Sequence, residues 1–113
     1  MAGKLKVAFI GASHWHLSLY LEPMFECEDA EIIAVHDPDP LFVNVLAQRL
    51  QCRGFTDHRD LCEAMRPDFV IALGRHCDMP DMASHLIEAG ISFALEKPCG
   101  LTHRHVVDLA EKA

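Results

Sequence analysis

The sequence predicts a doubly wound α/β domain: a parallel sheet of about five strands with helices on both faces. Three observations predict it. Short, continuous apolar runs such as Val7-Ala8-Phe9-Ile10 and Phe69-Val70-Ile71-Ala72-Leu73 have the length and composition of strands covered on both sides. Segments of helical spacing lie between these runs. Strand and helix thus alternate from end to end, with glycine or proline at several of the changes (Gly11, Pro38, Gly74, Gly90), which implies right-handed crossovers.

The first strand is expected in Lys4–Gly11, running into a glycine turn. A helix from His14 to about Cys27 follows, with Leu17, Leu21, Met24 and Phe25 repeating at helical spacing and Pro23 expected to kink or shorten it. Glu31–Asp37 is the second strand, stopped by Pro38-Asp39-Pro40. Leu41–Gln51 is the next helix, with Val45, Leu46 and Leu50 as its buried stripe. Cys52–Phe55 reads as a short edge strand. Thr56-Asp57 offers a cap for a helix ending near Met65, with Asp60 near the capping-box position. Asp68–Gly74 is the clearest strand. A helix opening near Pro80 runs through Met82–Ala89 to Gly90. Ser92–Leu95 is a buried strand ended by Pro98, and Thr102 caps a last helix holding Val106, Val107, Leu109 and Ala110.

With 113 residues the chain has room for one domain and one core. Half of it is hydrophobic and 24% charged, the balance of a soluble globular protein. A net charge of −7 argues against nucleic acid and against an anionic membrane surface. Five scattered cysteines, none in a C-x-x-C pair, suit reduced thiols in a cytoplasmic protein. The N-terminal apolar run is too short for a secretory core or a membrane span. The eight histidines give no zinc spacing, because His14/His16 and His103/His105 are two apart and share no helix face, so no metal is expected.

The chemistry concentrates at the carboxyl ends of the strands, where open α/β sheets bind ligands. A dinucleotide-binding turn reads G-x-G-x-x-G, with an acid ending the second strand. Here the turn is Gly11-Ala12-Ser13-His14-Trp15-His16: the first glycine is kept, Ser13 stands for the second and His16 for the third. The start of the following helix still offers backbone donors and a favourable dipole for an anion. Asp37 ends the second strand 26 positions after Gly11. A carboxylate there accepts from both ribose hydroxyls and repels a 2′-phosphate. No Arg or Lys follows before Arg49, which favours NAD over NADP. The last strand ends in Glu96-Lys97-Pro98, and a lysine at that rim can donate to a hydroxyl, hold an anion or move a proton. Trp15 either stacks beside a cofactor or packs at a helix start. Arg75 either reaches an anion or is a solvated loop residue.

The glycine turn after the first strand, the acid ending the second, and Glu88-Ala89-Gly90 leading into a strand that ends Glu96-Lys97-Pro98 resemble the Gfo/Idh/MocA oxidoreductases. The resemblance runs from Lys4 to Lys112 and is most specific over Glu88–Pro98. It implies a Rossmann domain over residues 1–113, with the family's C-terminal substrate and oligomerisation domain absent. The chain is then a fragment, inactive alone, of an NAD-dependent oxidoreductase. Such an enzyme moves a hydride between nicotinamide and a sugar, cyclitol or related polyol, and the resemblance implies homo-oligomers formed through the missing domain. Lys97 would be the catalytic residue, orienting the substrate hydroxyl and helping its proton transfer. Gly11, Ser13, His14 and Trp15 would border the pyrophosphate and Asp37 the adenosine ribose. Leu73, Gly74, Arg75, His76, Glu96 and Lys97 would flank the nicotinamide half. The family's Thr-Pro-Asn and following His after the fourth strand are replaced here, with His76 at the Asn position and Met79 at the His position. These departures keep a second reading open: a non-catalytic nucleotide-binding or regulatory module.

Overall fold

The computed structural model describes residues 3–14, 16–75, 77–96 and 103–113. The elements run β1 (Leu5–Ile10), α1 (Leu17–Glu26), β2 (Ala30–His36), α2 (Pro40–Leu50), β3 (Arg53–Phe55), α3 (His58–Met65), β4 (Phe69–Ala72), α4 (Met79–Ala89), β5 (Ser92–Leu95) and α5 (His103–Lys112). The strands form one sheet in the order β3-β2-β1-β4-β5, with every pairing parallel. β1 is therefore central, and the chain winds outward from it in both directions.

Period-two alternation on β1 and β4 divides the core into two layers. Val7, Phe9, Ile71 and Leu73 face α1 and α2, whose Leu17, Val43 and Ala47 are buried against them. Ala8, Ile10, Val70 and Ala72 face α3 and α4, meeting Leu61, Cys62, Met79, Met82 and Leu86. Phe9, Ile10, Leu61, Leu73 and Leu86 are wholly inaccessible. At about 1.5–3 kcal/mol for each such side chain, these two layers dominate the favourable side of folding.

The helix ends follow local chemistry. Asp39 caps α2 by accepting from the backbone N–H groups of Leu41 and Phe42, with Pro40 in the first turn. Asp57 caps α3 through the Arg59 N–H, and Gly90 ends α4 in the left-handed conformation at φ +71°. The alternation expected from the sequence is present, with four differences. β5 is not buried, because it lies at the sheet edge: Ser92 and Ala94 are exposed and Phe93 and Leu95 partly covered. α1 begins at Leu17 rather than His14, because residues 11–14 and His16 are held in turns by hydrogen bonds of their own. Pro23 does not end α1, which continues to Glu26. The buried stripe of α2 is Val43 and Ala47, with Leu46 and Leu50 partly covered; Val45 is exposed, as is Phe25 on α1. Helical spacing alone left the phase of these faces open by one position.

Candidate functional site

Because the sheet is parallel, the carboxyl ends of all five strands open on one edge. Their ladders run on into the loops: Leu73 N–H donates to Ile10 O (2.7 Å), Glu96 N–H to Ala72 O (2.9 Å) and Asp37 N–H to Phe55 O (3.1 Å). Gly11 sits at φ +74°, and a Cβ added to it would lie 2.7 Å from Gly74 Cα and from the Leu73 carbonyl carbon. The loops after β1 and β4 thus touch backbone to backbone, and only glycine permits the contact.

The turn that follows is held by side chains. Gly11 N–H donates to His36 Nδ1 at 3.0 Å, Ser13 N–H to Asp37 Oδ1 at 2.9 Å, and His16 N–H to His14 Nδ1 at 3.0 Å. Ala12 and His14 donate to backbone carbonyls, those of His36 and Gly11. Each of these donors in the turn therefore already has an acceptor. An anion arriving at the start of α1 would take the His16 N–H only by displacing the His14 ring.

His36, the last residue of β2, is 3% exposed. Burial pushes its pKa down to about 4; the neighbouring His58 adds to this, while Asp37, Asp57 and a bond to the Thr56 backbone oppose it. The ring is neutral at ordinary pH, with Nδ1 accepting from Gly11 and the other nitrogen carrying the proton. Asp37 is equally buried, and its second oxygen accepts from Asp39 N–H at 3.0 Å. The acid at the end of β2 thus braces the glycine turn directly.

Beside Asp37, beyond the ends of β2, β3 and β4, lies a cleft of about 360 Å³. Its walls include His36, Pro38, Thr56, Asp57, His58, Arg59, Arg75, Cys77, Asp78 and Asp81. Both arginines are spoken for: Arg59 pairs with Asp81 at 2.9 Å and Arg75 with Asp78 at 2.9 Å. The guanidinium of Arg59 holds the Asp81 carboxyl below the usual range. The imidazole rings of His36, His58 and His85 meet edge to face in a row behind this wall, at 5.8 and 5.2 Å between centroids.

On the other side of β1, Glu96 follows the last residue of β5. Its Oε2 lies 3.0 Å from His16 Nδ1 and accepts from the Tyr20 hydroxyl at 2.9 Å. The hydrogen bond to Glu96 is the main cause of a raised Tyr20 pKa, as expected beside an ionised carboxylate. His16, where a third glycine is usual, thus reaches across to the β5 end and is absent from the lining of the cleft beside Asp37.

Of the residues singled out from sequence, Gly11, Ser13, His14, Asp37, Leu73, Gly74, Arg75 and Glu96 all stand on this rim. Trp15, His76 and Lys97 lie outside the described residues. Sequence reasoning missed His36, Tyr20 and the His58–Arg59–Asp81 group. An imidazole closing an apolar strand was a readable signal for the first. Spacing of four from His16 on a helix was one for the second. Among the described residues, no group of three or more His, Cys, Asp or Glu could hold a metal ion, and no helix is long and apolar enough to cross a membrane.

The rim fits an adenine dinucleotide in part. The cleft has the size of a small-molecule subsite, and Gly11 and Gly74 put no side chain where their two loops meet. The pyrophosphate would require His14 to yield. Residues 5–113 match the Gfo/Idh/MocA family model, described as an oxidoreductase family with an NAD-binding Rossmann fold. No curated protein sequence matches. Among solved structures, a WlbA dehydrogenase from Chromobacterium violaceum in complex with NADH and UDP-GlcNAcA superposes with a TM-score of 0.91 at 22% identity, over 100% of this chain and 33% of that one. A myo-inositol 2-dehydrogenase from Lactobacillus plantarum gives 0.86 at 19% identity, over 96% and 32%. An oxidoreductase from Desulfitobacterium hafniense described as NADPH-dependent gives 0.87 at 16% identity, over 99% and 32%. The chain spans about a third of the length of these neighbours.

Proposed function

From the premise that the chain belongs to the Gfo/Idh/MocA oxidoreductase family, as its NAD-binding Rossmann domain, we propose that it holds NAD for a dehydrogenase acting on a sugar, cyclitol or related polyol. The observation that carries this reading is the meeting of the Gly11 turn, Asp37, Gly74 and Glu96 on one rim beside the cleft. Gly11, Ser13 and His14 would border the pyrophosphate. Asp37 would meet the adenosine ribose, and His58 and Arg59 would line the adenine end. Residues 73–76 and Glu96 would flank the nicotinamide, with Trp15 beside the pyrophosphate. When bound, the cofactor supplies the hydride acceptor or donor. Lys97 would exchange the proton of the substrate hydroxyl, within a whole protein whose C-terminal domain completes the pocket and the oligomer.

Charge supports NAD over NADP. The cleft wall carries Asp57, Asp78 and Asp81 against two arginines that are already paired, and buried Asp37 adds a further negative charge nearby. A 2′-phosphate would enter a field of its own sign. Fluorescence titration with NADH and NADPH tests this. NADH should bind at least about tenfold more tightly, the equivalent of about 1.4 kcal/mol. Equal affinities, or an unchanged ratio in Asp37→Asn, would refute the assignment. Replacing Lys97 with Ala in the whole protein should abolish turnover of a polyol panel while sparing NADH binding.

One observation favours the second reading, a module that catalyses nothing: among the described residues, the N–H groups of Gly11, Ala12, Ser13, His14 and His16 are already bonded to the chain's own acceptors. Calorimetry with NADH separates a site that binds the dinucleotide from one that does not, and a polyol panel with the whole protein separates an enzyme from a module that binds and catalyses nothing.

A further inference from the structure

Glu96 joins two parts of the chain that are far apart in sequence. Its Oε2 meets His16, 80 residues away and the last residue before α1, and Tyr20, 76 residues away on the first turns of the same helix. The Glu96 side chain is 10% exposed. A carboxylate so covered needs charge-assisted partners, and His16 and Tyr20 supply such contacts. With Glu96 ionised, the His16 Nδ1 carries a proton toward it, as does the Tyr20 hydroxyl.

The place of this clasp matters more than its strength. On the proposed dinucleotide reading, α1 begins where the pyrophosphate turns toward the nicotinamide, and β5 ends where Lys97 follows Glu96 in the chain. These are opposite walls of the nicotinamide half, whereas the cleft beyond β2 and β3 serves the adenosine half. A third glycine at position 16 would leave Tyr20 to reach Glu96 without an imidazole beside it. The His16 substitution supplies an arm that crosses between the walls. It also spreads the Glu96 charge over two donors, which lessens its repulsion of a nearby pyrophosphate.

We propose that His16 and Tyr20 are positioning residues: by clasping Glu96 they set the spacing between the start of α1 and the end of β5, and so select the nicotinamide half of the cofactor. This inference rests on the dinucleotide reading and adds a claim to it. The clasp should matter to NADH and hardly at all to ADP-ribose, which keeps the adenosine and pyrophosphate but lacks nicotinamide.

The test titrates NADH and ADP-ribose into the protein and into His16→Leu, Tyr20→Phe, Glu96→Gln and His16→Asn, with circular dichroism confirming the fold of each. In the first three, NADH should bind about tenfold more weakly while ADP-ribose changes by less than about twofold, as expected for loss of a bond to a charged group. The enhancement of nicotinamide fluorescence on binding should fall with it. His16→Asn, whose amide N–H can occupy the Nδ1 position, should recover most of the NADH affinity. Equal losses for both ligands would mark the clasp as merely structural and overturn the proposal, as would no loss for either. Wild-type protein that binds both ligands equally would overturn it while sparing the dinucleotide reading. Wild-type protein that binds neither would end both.

Discussion

Protonation of His36 should release a definite amount of folding free energy in a definite pH window. Unfolded, this imidazole titrates near 6.5; folded, burial holds it at about 4. Between those values the unfolded chain binds the proton that the folded one refuses, so stability rises with pH across the window. The contribution is whole above pH 6.5, is lost progressively as pH falls toward 4, and changes no further below that. At about 1.4 kcal/mol for each pH unit, the total is about 3 kcal/mol, a large share of the stability of a domain this size. The cause is structural: Nδ1 must accept the Gly11 N–H at 3.0 Å, and an imidazolium has no lone pair to offer.

Urea unfolding followed by circular dichroism, at a series of pH values across the window, measures this in the wild type and in His36→Asn. The asparagine oxygen can take the place of Nδ1 and cannot titrate. The variant should lose about 1–2 kcal/mol at neutral pH, from the forfeited Thr56 contact and poorer packing, and its profile should be flatter. The difference between the two proteins must therefore move by about 3 kcal/mol in the variant's favour as pH falls through the window, from a deficit to a surplus of about 1–2 kcal/mol. His85, which burial also lowers, contributes equally to both proteins and cancels. Asp57 and Asp81, held below 3.8, act only as pH falls further. A difference that stays constant with pH would refute the neutral-imidazole argument.

Three further outcomes follow from other contacts on the rim. Gly11→Ala should lower the melting temperature by about 10 °C or more, because a left-handed alanine costs about 1–2 kcal/mol before the 2.7 Å approach to backbone atoms is counted; a melt within about 3 °C of wild type would contradict the close contact. Asp81→Ala removes an exposed pair and should cost less than about 1 kcal/mol in urea unfolding; a larger loss would mean that His58 depends on that charge. His14→Ala frees the His16 N–H at the start of α1, so ADP-ribose should bind as tightly or more tightly by calorimetry, at a stability cost of about 0.5–1.5 kcal/mol; weaker binding would show that His14 itself donates to the anion.

How much of this was legible depended on range. Four of the strands were readable because their signal is local, a short apolar run bounded by glycine, aspartate or proline; β3, only Arg53-Gly54-Phe55, has no such run and was expected just as a short edge strand. Gly11, Asp37 and Glu96 were readable as candidates because strand ends sit at one edge of any parallel sheet. Their partners were not. Nothing near Ser13 in sequence says that its N–H meets a carboxylate 24 residues on, or that His16 reaches a glutamate 80 residues away. The phase of α2 failed for a related reason: Val43 and Val45 have the same hydrophobicity, and only the sheet beneath decides which turns inward.

The altered turn is best understood by asking what each glycine of the usual fingerprint is for. A glycine is required where φ is positive or where another backbone comes too close for a Cβ. Gly11 meets both conditions. Ser13 does not have a positive φ: among the described residues the only non-glycines that do are Gln51 and Arg66, each ending a helix. At His16 φ is −81°, and α1 starts one residue later, so its side chain projects to Glu96 instead of into the sheet. The turn therefore keeps glycine only where glycine is needed, and Asp37, His14 and His36 hold its backbone. Restoring the fingerprint should on this argument weaken the protein. Ser13→Gly relieves no strain and frees the unfolded chain, so it should cost about 0.5–1 kcal/mol in urea unfolding. A gain in stability would mean that Ser13 is under strain after all, and that the substitution came at the expense of the fold.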